Sequence, residues 1–144
     1  MSLPKRVALI VASGLTLVLL LSATSLCLDI QKRLHAFDIE DQIHDTFSPV
    51  VLALNDYQDD HHAAAADLSQ LVPKYLPAIP TSPLVDSVEY AVLDNGKTWR
   101  LTLPSHALPQ ARLYCSRSDD QFTPEEEQRV VLRYHGMWTV LKAP

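Results

Sequence analysis

Val7–Leu28 is an unbroken apolar run, VALIVASGLTLVLLLSATSLCL, without a charge, an amide or a proline. At ~1.5 Å per residue a helix of that length extends roughly 33 Å, which matches the ~30 Å hydrocarbon core of a bilayer. The pattern therefore predicts a transmembrane helix. Beyond it Ile30, Leu34, Phe37, Ile43, Phe47, Val51 and Leu54 recur at three- and four-residue intervals, with one wider step between Phe37 and Ile43. That spacing predicts an amphipathic helix continuing from the span, with Asp38, Glu40, Asp41 and Asp45 on its solvated side. Ser48-Pro49 predicts a kink or a restart, because proline removes a backbone donor yet is well tolerated as the first helical residue behind a serine cap.

After Asp59 the chain becomes polar and small through Ala66, a helix extension or a connector. Asp67–Val72 reads as a short helix capped by Asp67 and stopped by Pro73. Pro73, Pro77, Pro80 and Pro83 exclude both helix and central strand, so this stretch is expected to be extended coil pinned to the core by Tyr75, Leu76 and Ile79. The period then changes to two. Ser87–Leu93 and Thr98–Leu103 flank Asp94-Asn95-Gly96-Lys97, a hairpin signal because Asn-Gly supplies the positive φ values of tight turns. On the second strand Trp99, Leu101 and Leu103 alternate with Thr98, Arg100 and Thr102, predicting one buried and one wet face. Ala111–Ser116 is a third strand, an acidic loop through Pro124-Glu125-Glu126-Glu127 follows, and Arg129–Tyr134 and Met137–Leu141 form a second hairpin about His135-Gly136. The sum is an α+β fold, a long N-terminal transmembrane and amphipathic helix packed on a four- to five-stranded antiparallel sheet. The expected division is residues 1–28, a cytoplasmic tip and span, and residues 29–144, one extracytoplasmic domain.

Charge placement adds an orientation. The chain of 144 residues carries a net charge of −5. Lys5 and Arg6 precede the span and every acidic residue follows it, so the basic end stays cytoplasmic and the domain lies outside, although Lys32 and Arg33 pull the other way. The acidic outer domain offers no basic face for phosphates, which disfavours a nucleic-acid partner. A cleaved secretory signal is the competing reading, with Lys5 and Arg6 as its basic region, Val7–Leu21 as its apolar core and Ala23-x-Ser25 as its cleavage site. The apolar run continues through Leu26, Cys27 and Leu28 with no polar segment, which fits a full span better. Leu26 before Cys27 also disfavours lipidation there. Cys27 lies in the run and Cys115 in the outer domain, so a disulfide between them is not expected.

Candidate chemistry is sparse. Asp59, Asp60, His61 and His62 set four potential metal ligands side by side, but adjacent helical residues point about 100° apart and do not converge as residues three or four apart do. Asp119, Asp120 and Glu125–Glu127 have the oxygen chemistry of a calcium site without its ligand spacing. Cys115, the serines and the histidines at 35, 44, 106 and 135 stand in no nucleophile motif. Trp99, Trp138, Tyr90 and Tyr134 have the spacing of core and cross-strand pairs. No catalytic, cofactor-binding or metal residue is therefore assigned.

Two stretches, Ala53-Leu54-Asn55-Asp56-Tyr57 and Leu68-Ser69-Gln70-Leu71-Val72-Pro73-Lys74-Tyr75-Leu76-Pro77-Ala78-Ile79-Pro80, resemble the type IV pilin and type II secretion pseudopilin family. The second is similar to the helix-to-sheet segment VPKYLPxIPxDP of major pseudopilins, and Tyr90 and the Asp94-Asn95-Gly96 hairpin follow in the family's order. Gly14-Leu15-Thr16-Leu17-Val18-Leu19 resembles the core of the prepilin motif. Leu19 stands where the family has a glutamate, and Ala12-Ser13 stand where it has basic residues. His61-His62-Ala63-Ala64-Ala65 replaces its Asn-Gly-x-Tyr-Pro. The resemblance implies a bacterial inner-membrane protein with a periplasmic pilin-like domain, non-enzymatic, acting through contacts with other membrane, secretion or pilus-type proteins. The departures imply a span left uncut. The alternative is a membrane-anchored ligand- or metal-binding, even hydrolytic, domain centred on Asp59–His62.

Overall fold

The computed structural model describes residues 3–108, 111–116, 122–134 and 137–142, and the side chains of residues 3–19, 111, 114, 116 and 132–134 lie outside that description. The chain divides into two compact units, residues 1–38 and 39–144. Helix α1 spans Leu3–His61. In the first unit the described large apolar side chains of α1, Leu20, Leu26, Ile30, Leu34 and Phe37 among them, are exposed. The expected span Val7–Leu28 lies, for residues 7–19, outside the described side chains. Among the described residues no helix is long and apolar enough to cross a membrane.

In the second unit Ile39, Ile43, Phe47, Val50, Val51 and Leu54 are all buried. They recur mainly three and four residues apart and so share one broad helical face. This corrects the single stripe expected from Ile30 to Leu54. At about 100° per residue a six-residue step does not return to the same face, so it is Ile39 rather than Phe37 that begins the buried stripe.

The restart expected at Ser48-Pro49 is also corrected, since α1 is helical on both sides of Pro49. Proline costs the helix the bond to the carbonyl four residues earlier, that of Asp45, and both residues lie on the exposed side, where water can satisfy the carbonyl. Ser48 does not cap a new helix. Its hydroxyl donates to the His44 carbonyl at 2.7 Å.

Among the described residues five antiparallel strands follow: β1 (Glu89–Leu93), β2 (Thr98–Pro104), β3 (Ala111–Ser116), β4 (Val130–Tyr134) and β5 (Trp138–Lys142), in the order β1-β2-β3-β5-β4. The first hairpin pairs Leu93 with Thr98, and Asp94, Asn95 and Gly96 take φ values of 50°, 55° and 88°. These are the left-handed values for which Asn-Gly is suited. Trp99, Leu101 and Leu103 are buried as expected, and Thr102 is buried as well. Its wet face was the expectation. Thr102 lies across from Glu89 on β1 and is flanked on its other side by β3, an interior position where a short side chain is covered. The second hairpin forms between β4 and β5, and its His135-Gly136 turn lies outside the described residues.

Between α1 and β1, Asp67 accepts from the Ser69 amide at 2.7 Å and caps a 3-10 turn over Leu68–Leu71. The chain turns again before extending, because the amides of Tyr75 and Leu76 both reach the Leu71 carbonyl, at 2.9 and 3.0 Å. The coil expected from Pro73 therefore begins only after Leu76. Leu76 is buried and Tyr75 and Ile79 pack on the core. The Tyr90 hydroxyl donates to the Ala65 carbonyl at 2.7 Å, and burial, with smaller contributions from Tyr57 and Asp67, pushes it up to about 12, so it stays a donor.

The acidic loop is corrected in part. Pro124–Glu127 form a one-turn helix, α2, in which Thr123 accepts from the Glu126 amide at 3.2 Å and Glu126 accepts from the Thr123 amide at 2.9 Å. This reciprocal pairing satisfies two amides that a helix start leaves open.

Candidate functional site

The end of α1 carries the four residues singled out as possible ligands, and the structure sends the side chains of Asp60 and His61 in different directions. Asp60 accepts from Lys74 Nζ at 2.8 Å and from the Tyr75 hydroxyl at 2.6 Å, while Lys74 also donates to that hydroxyl at 2.7 Å. The closed triangle ties the turn at Val72–Tyr75 to the end of the helix. Hydrogen bonds from Lys74 first and then Tyr75 hold the Asp60 carboxyl below its ordinary value, and the same Asp60 contact raises Lys74. Tyr75 is raised by desolvation and then by Asp60. His61 turns back along the helix, its Nδ1 donating to the Tyr57 carbonyl at 2.9 Å while its ring stacks on Tyr57 with centroids 4.0 Å apart. That pairing satisfies a carbonyl near the helix C-terminus. His62 has a φ of 55° and so lies outside the helical backbone. Among the described residues no group of three or more His, Cys, Asp and Glu side chains is placed to hold a metal ion.

A second cluster was not foreseen. His44 Nδ1 lies 3.3 Å from Asp45 Oδ1, and Ser48 Oγ lies 3.4 Å from His44 Nε2, a serine, a histidine and an aspartate in the order of a hydrolytic relay. The geometry does not support that chemistry. Ser48 Oγ is 3.5 Å from Nδ1 as well, so it is on the lone-pair axis of neither nitrogen, and its proton is directed at the His44 carbonyl. Ser48 also sits within a continuous helix rather than on the strand-to-helix turn that exposes a nucleophile beside free backbone donors. Glu40, His44, Leu113, Trp138 and Val140 line a cavity of only about 10 Å³, and the His44 and Trp138 rings meet edge to face with centroids 6.0 Å apart. Burial first, then the neighbouring Asp41 carboxylate, raises the Glu40 carboxyl above its ordinary value.

Several of the remaining sequence candidates serve the fold. Glu126 gives one carboxylate oxygen to Arg100 at 3.3 Å and the other to the Thr123 amide, so the glutamate run does not present it to a cation. Asp119 and Asp120 lie outside the described residues. His106 Nδ1 is 2.7 Å from Asp86 Oδ1 on the surface. Beside Asp86 a cleft of about 220 Å³ opens between Phe47 and residues 80–88, below the size of common small-molecule sites. Cys115 is buried and Cys27 exposed; His35 is exposed on α1. Trp99 and Trp138 are core residues, as their strand spacing implied.

Of these contacts, the Thr123–Glu126 cap could have been read directly, since a threonine followed three residues later by a glutamate is the sequence signature of that pairing. The Asp60–Lys74 and Arg100–Glu126 pairs had no local signal, because their partners are far apart in sequence. What the described surface offers most plainly is apolar: Leu20 is 64% exposed, Leu34 58%, Phe37 49% and Ile30 48%. Searches against protein-family models, curated proteins and solved structures return no match for this chain.

Proposed function

We propose that the chain is a non-enzymatic, single-span inner-membrane protein whose pilin-like outer domain works through protein contacts in a secretion or pilus-type system. The observation that carries the reading is the exposed apolar surface of residues 20–37, which continues an uncharged sequence beginning at Val7. Water is a poor solvent for such a surface, at about 25 cal/mol per Å², and a bilayer followed by protein partners is its natural environment. Lys5 and Arg6 set the cytoplasmic end. The α+β architecture and the residue-level resemblance over Leu68–Pro80 favour the pilin-like reading of the outer domain.

The test is fractionation of cells that make the full chain, with protease added to intact spheroplasts. The expected result is a protein that stays with the membrane after carbonate washing and loses its outer domain to external protease. Recovery in the soluble fraction, or a mature N-terminus at Leu26, would remove the anchor. In the same cells, crosslinking is expected to recover a secretion or pilus component. Failure to do so, together with no effect of deletion on either system, would remove the assignment to such a system.

A further inference from the structure

Within the first unit, Leu20, Ala23, Cys27, Ile30, Leu34 and Phe37 succeed one another at steps of three, four, three, four and three residues. That is a strict heptad seam, with Leu20, Cys27 and Leu34 at the first apolar position and Ala23, Ile30 and Phe37 at the second. All six are exposed. A repeat of 3.5 residues drifts about 20° per heptad on a straight helix and stays on one side only when two helices wind around each other. Lipid contact alone demands no such period. The seam ends where the next two positions become Asp41 and His44.

The charges beside the seam choose the partner. Arg33 precedes Leu34 and Asp38 follows Phe37, which places them at the two flanking positions. In a parallel pair the residue at the first flank faces the residue five further on in the other helix. Arg33 of each copy then meets Asp38 of the other, twice by symmetry. We infer that residues 20–37 form a parallel two-stranded coiled coil with a second copy of this chain. The inference rests on spacing and flanking charge and goes beyond membrane anchoring, which fractionation tests separately.

Cys27 gives the arrangement a built-in reporter. With helix axes up to ~10 Å apart and Cα atoms ~2.3 Å from each axis, facing seam residues come within about 5–6 Å, inside the disulfide range. Cys115 is only 2% exposed and does not compete.

The test is copper-phenanthroline oxidation of the full chain in isolated membranes, read on a non-reducing gel; two thiols join as one disulfide, and two electrons and two protons pass to the oxidant. The chain should give a dimer and Cys27→Ser should not. In that serine background, Ile30→Cys and Leu34→Cys should crosslink at least about fivefold better than Lys32→Cys and His35→Cys, which face away from the seam. Arg33→Glu should lower the yield roughly threefold or more, and adding Asp38→Arg should restore it. Monomer throughout, equal crosslinking at all four positions, a maximum at Lys32 or His35, a crosslinked product with the mass of a different protein, or a charge swap that restores nothing would each overturn the inference. Unchanged tryptophan emission in every variant establishes that the outer domain has folded.

Discussion

Two stretches of α1 have apolar residues at helical spacing and opposite fates. From Ile39 to Leu54 the apolar side chains on the core face are at most 7% exposed, whereas Leu20, Ile30, Leu34 and Phe37 are 48% exposed or more. Hydrophobicity does not separate them, since both carry leucine, isoleucine and phenylalanine. The shape of the stripe does. Val50, Val51, Ala53 and Leu54 widen the later face into a band, which suits a sheet lying across it. The earlier one carries a 3.5-residue seam, with Leu21, Leu26 and Leu28 exposed beside it, and a seam of that period suits another helix. Among the described residues the chain supplies one sheet, whose buried residues share a single core with the band.

Truncation on the covered face is expected to have the largest effect. Phe47 is fully buried, so Phe47→Ala should destabilise the second unit by about 3–5 kcal/mol through lost transfer energy and the cavity left behind. Denaturation followed by emission of Trp99 and Trp138, the chain's two tryptophans and both buried, measures it. A loss under about 1 kcal/mol would mean that the band is not the core. Next is Pro49, on the exposed side of the same helix. Pro49→Ala restores an amide to pair with the Asp45 carbonyl and should stabilise by about 1–2 kcal/mol, net of the extra freedom given to the unfolded chain. A loss of stability instead would show that α1 needs a break there.

Glu40 sits close to where covered and uncovered residues meet in sequence, and its effect is smaller. Its carboxyl is raised, by burial and then by Asp41, so the folded chain holds that proton more tightly than the unfolded chain does. Its contribution to stability is complete below the ordinary glutamate range and is lost as pH rises through the raised value. Glu40→Gln removes this dependence. Relative to the parent, the variant should gain stability between pH 4 and pH 7. Denaturant midpoints at the two pH values read the difference, and an equal change at both would place Glu40 in water.

The parts legible in the sequence were those written in neighbouring residues. Asn95-Gly96 named its hairpin because few other residues accept a φ near 55° followed by 88°, and Ala111–Ser116 is the strand its pattern described. Pro49 misled because its cost is moderate on a water-facing side and burial of Phe47, Val50 and Val51 outweighs it. The step from Phe37 to Ile43 is written in the sequence too, since six residues on a helix mean a different face, yet a single wider step does not by itself say which side of it is buried. The polar contacts stayed hidden for another reason. Whether Asp60 is a ligand or the acceptor of Lys74 and Tyr75 depends on where a turn more than ten residues later is folded, and no local period encodes that. The Ser48–His44–Asp45 likeness shows the converse, since the right residue types lie close together and only the direction of one hydroxyl proton separates a relay from a helix bond.

The smallest expected effect on stability is at Phe37, and it tests the contrast most sharply. Phe37 and Phe47 are the same residue type on the same helix, ten positions apart. If apolar character alone set the cost of truncation, Phe37→Ala would approach the loss at Phe47. Because Phe37 is 49% exposed, its truncation should leave the denaturation midpoint within about 0.5 kcal/mol of the parent. The same substitution removes a seam residue, so Cys27 crosslinking should fall several-fold. Stability unmoved with crosslinking reduced assigns the two faces to different partners. A loss above about 2 kcal/mol would place Phe37 under its own domain, and the contrast between a band covered by the chain itself and a seam covered by a second copy would then fail.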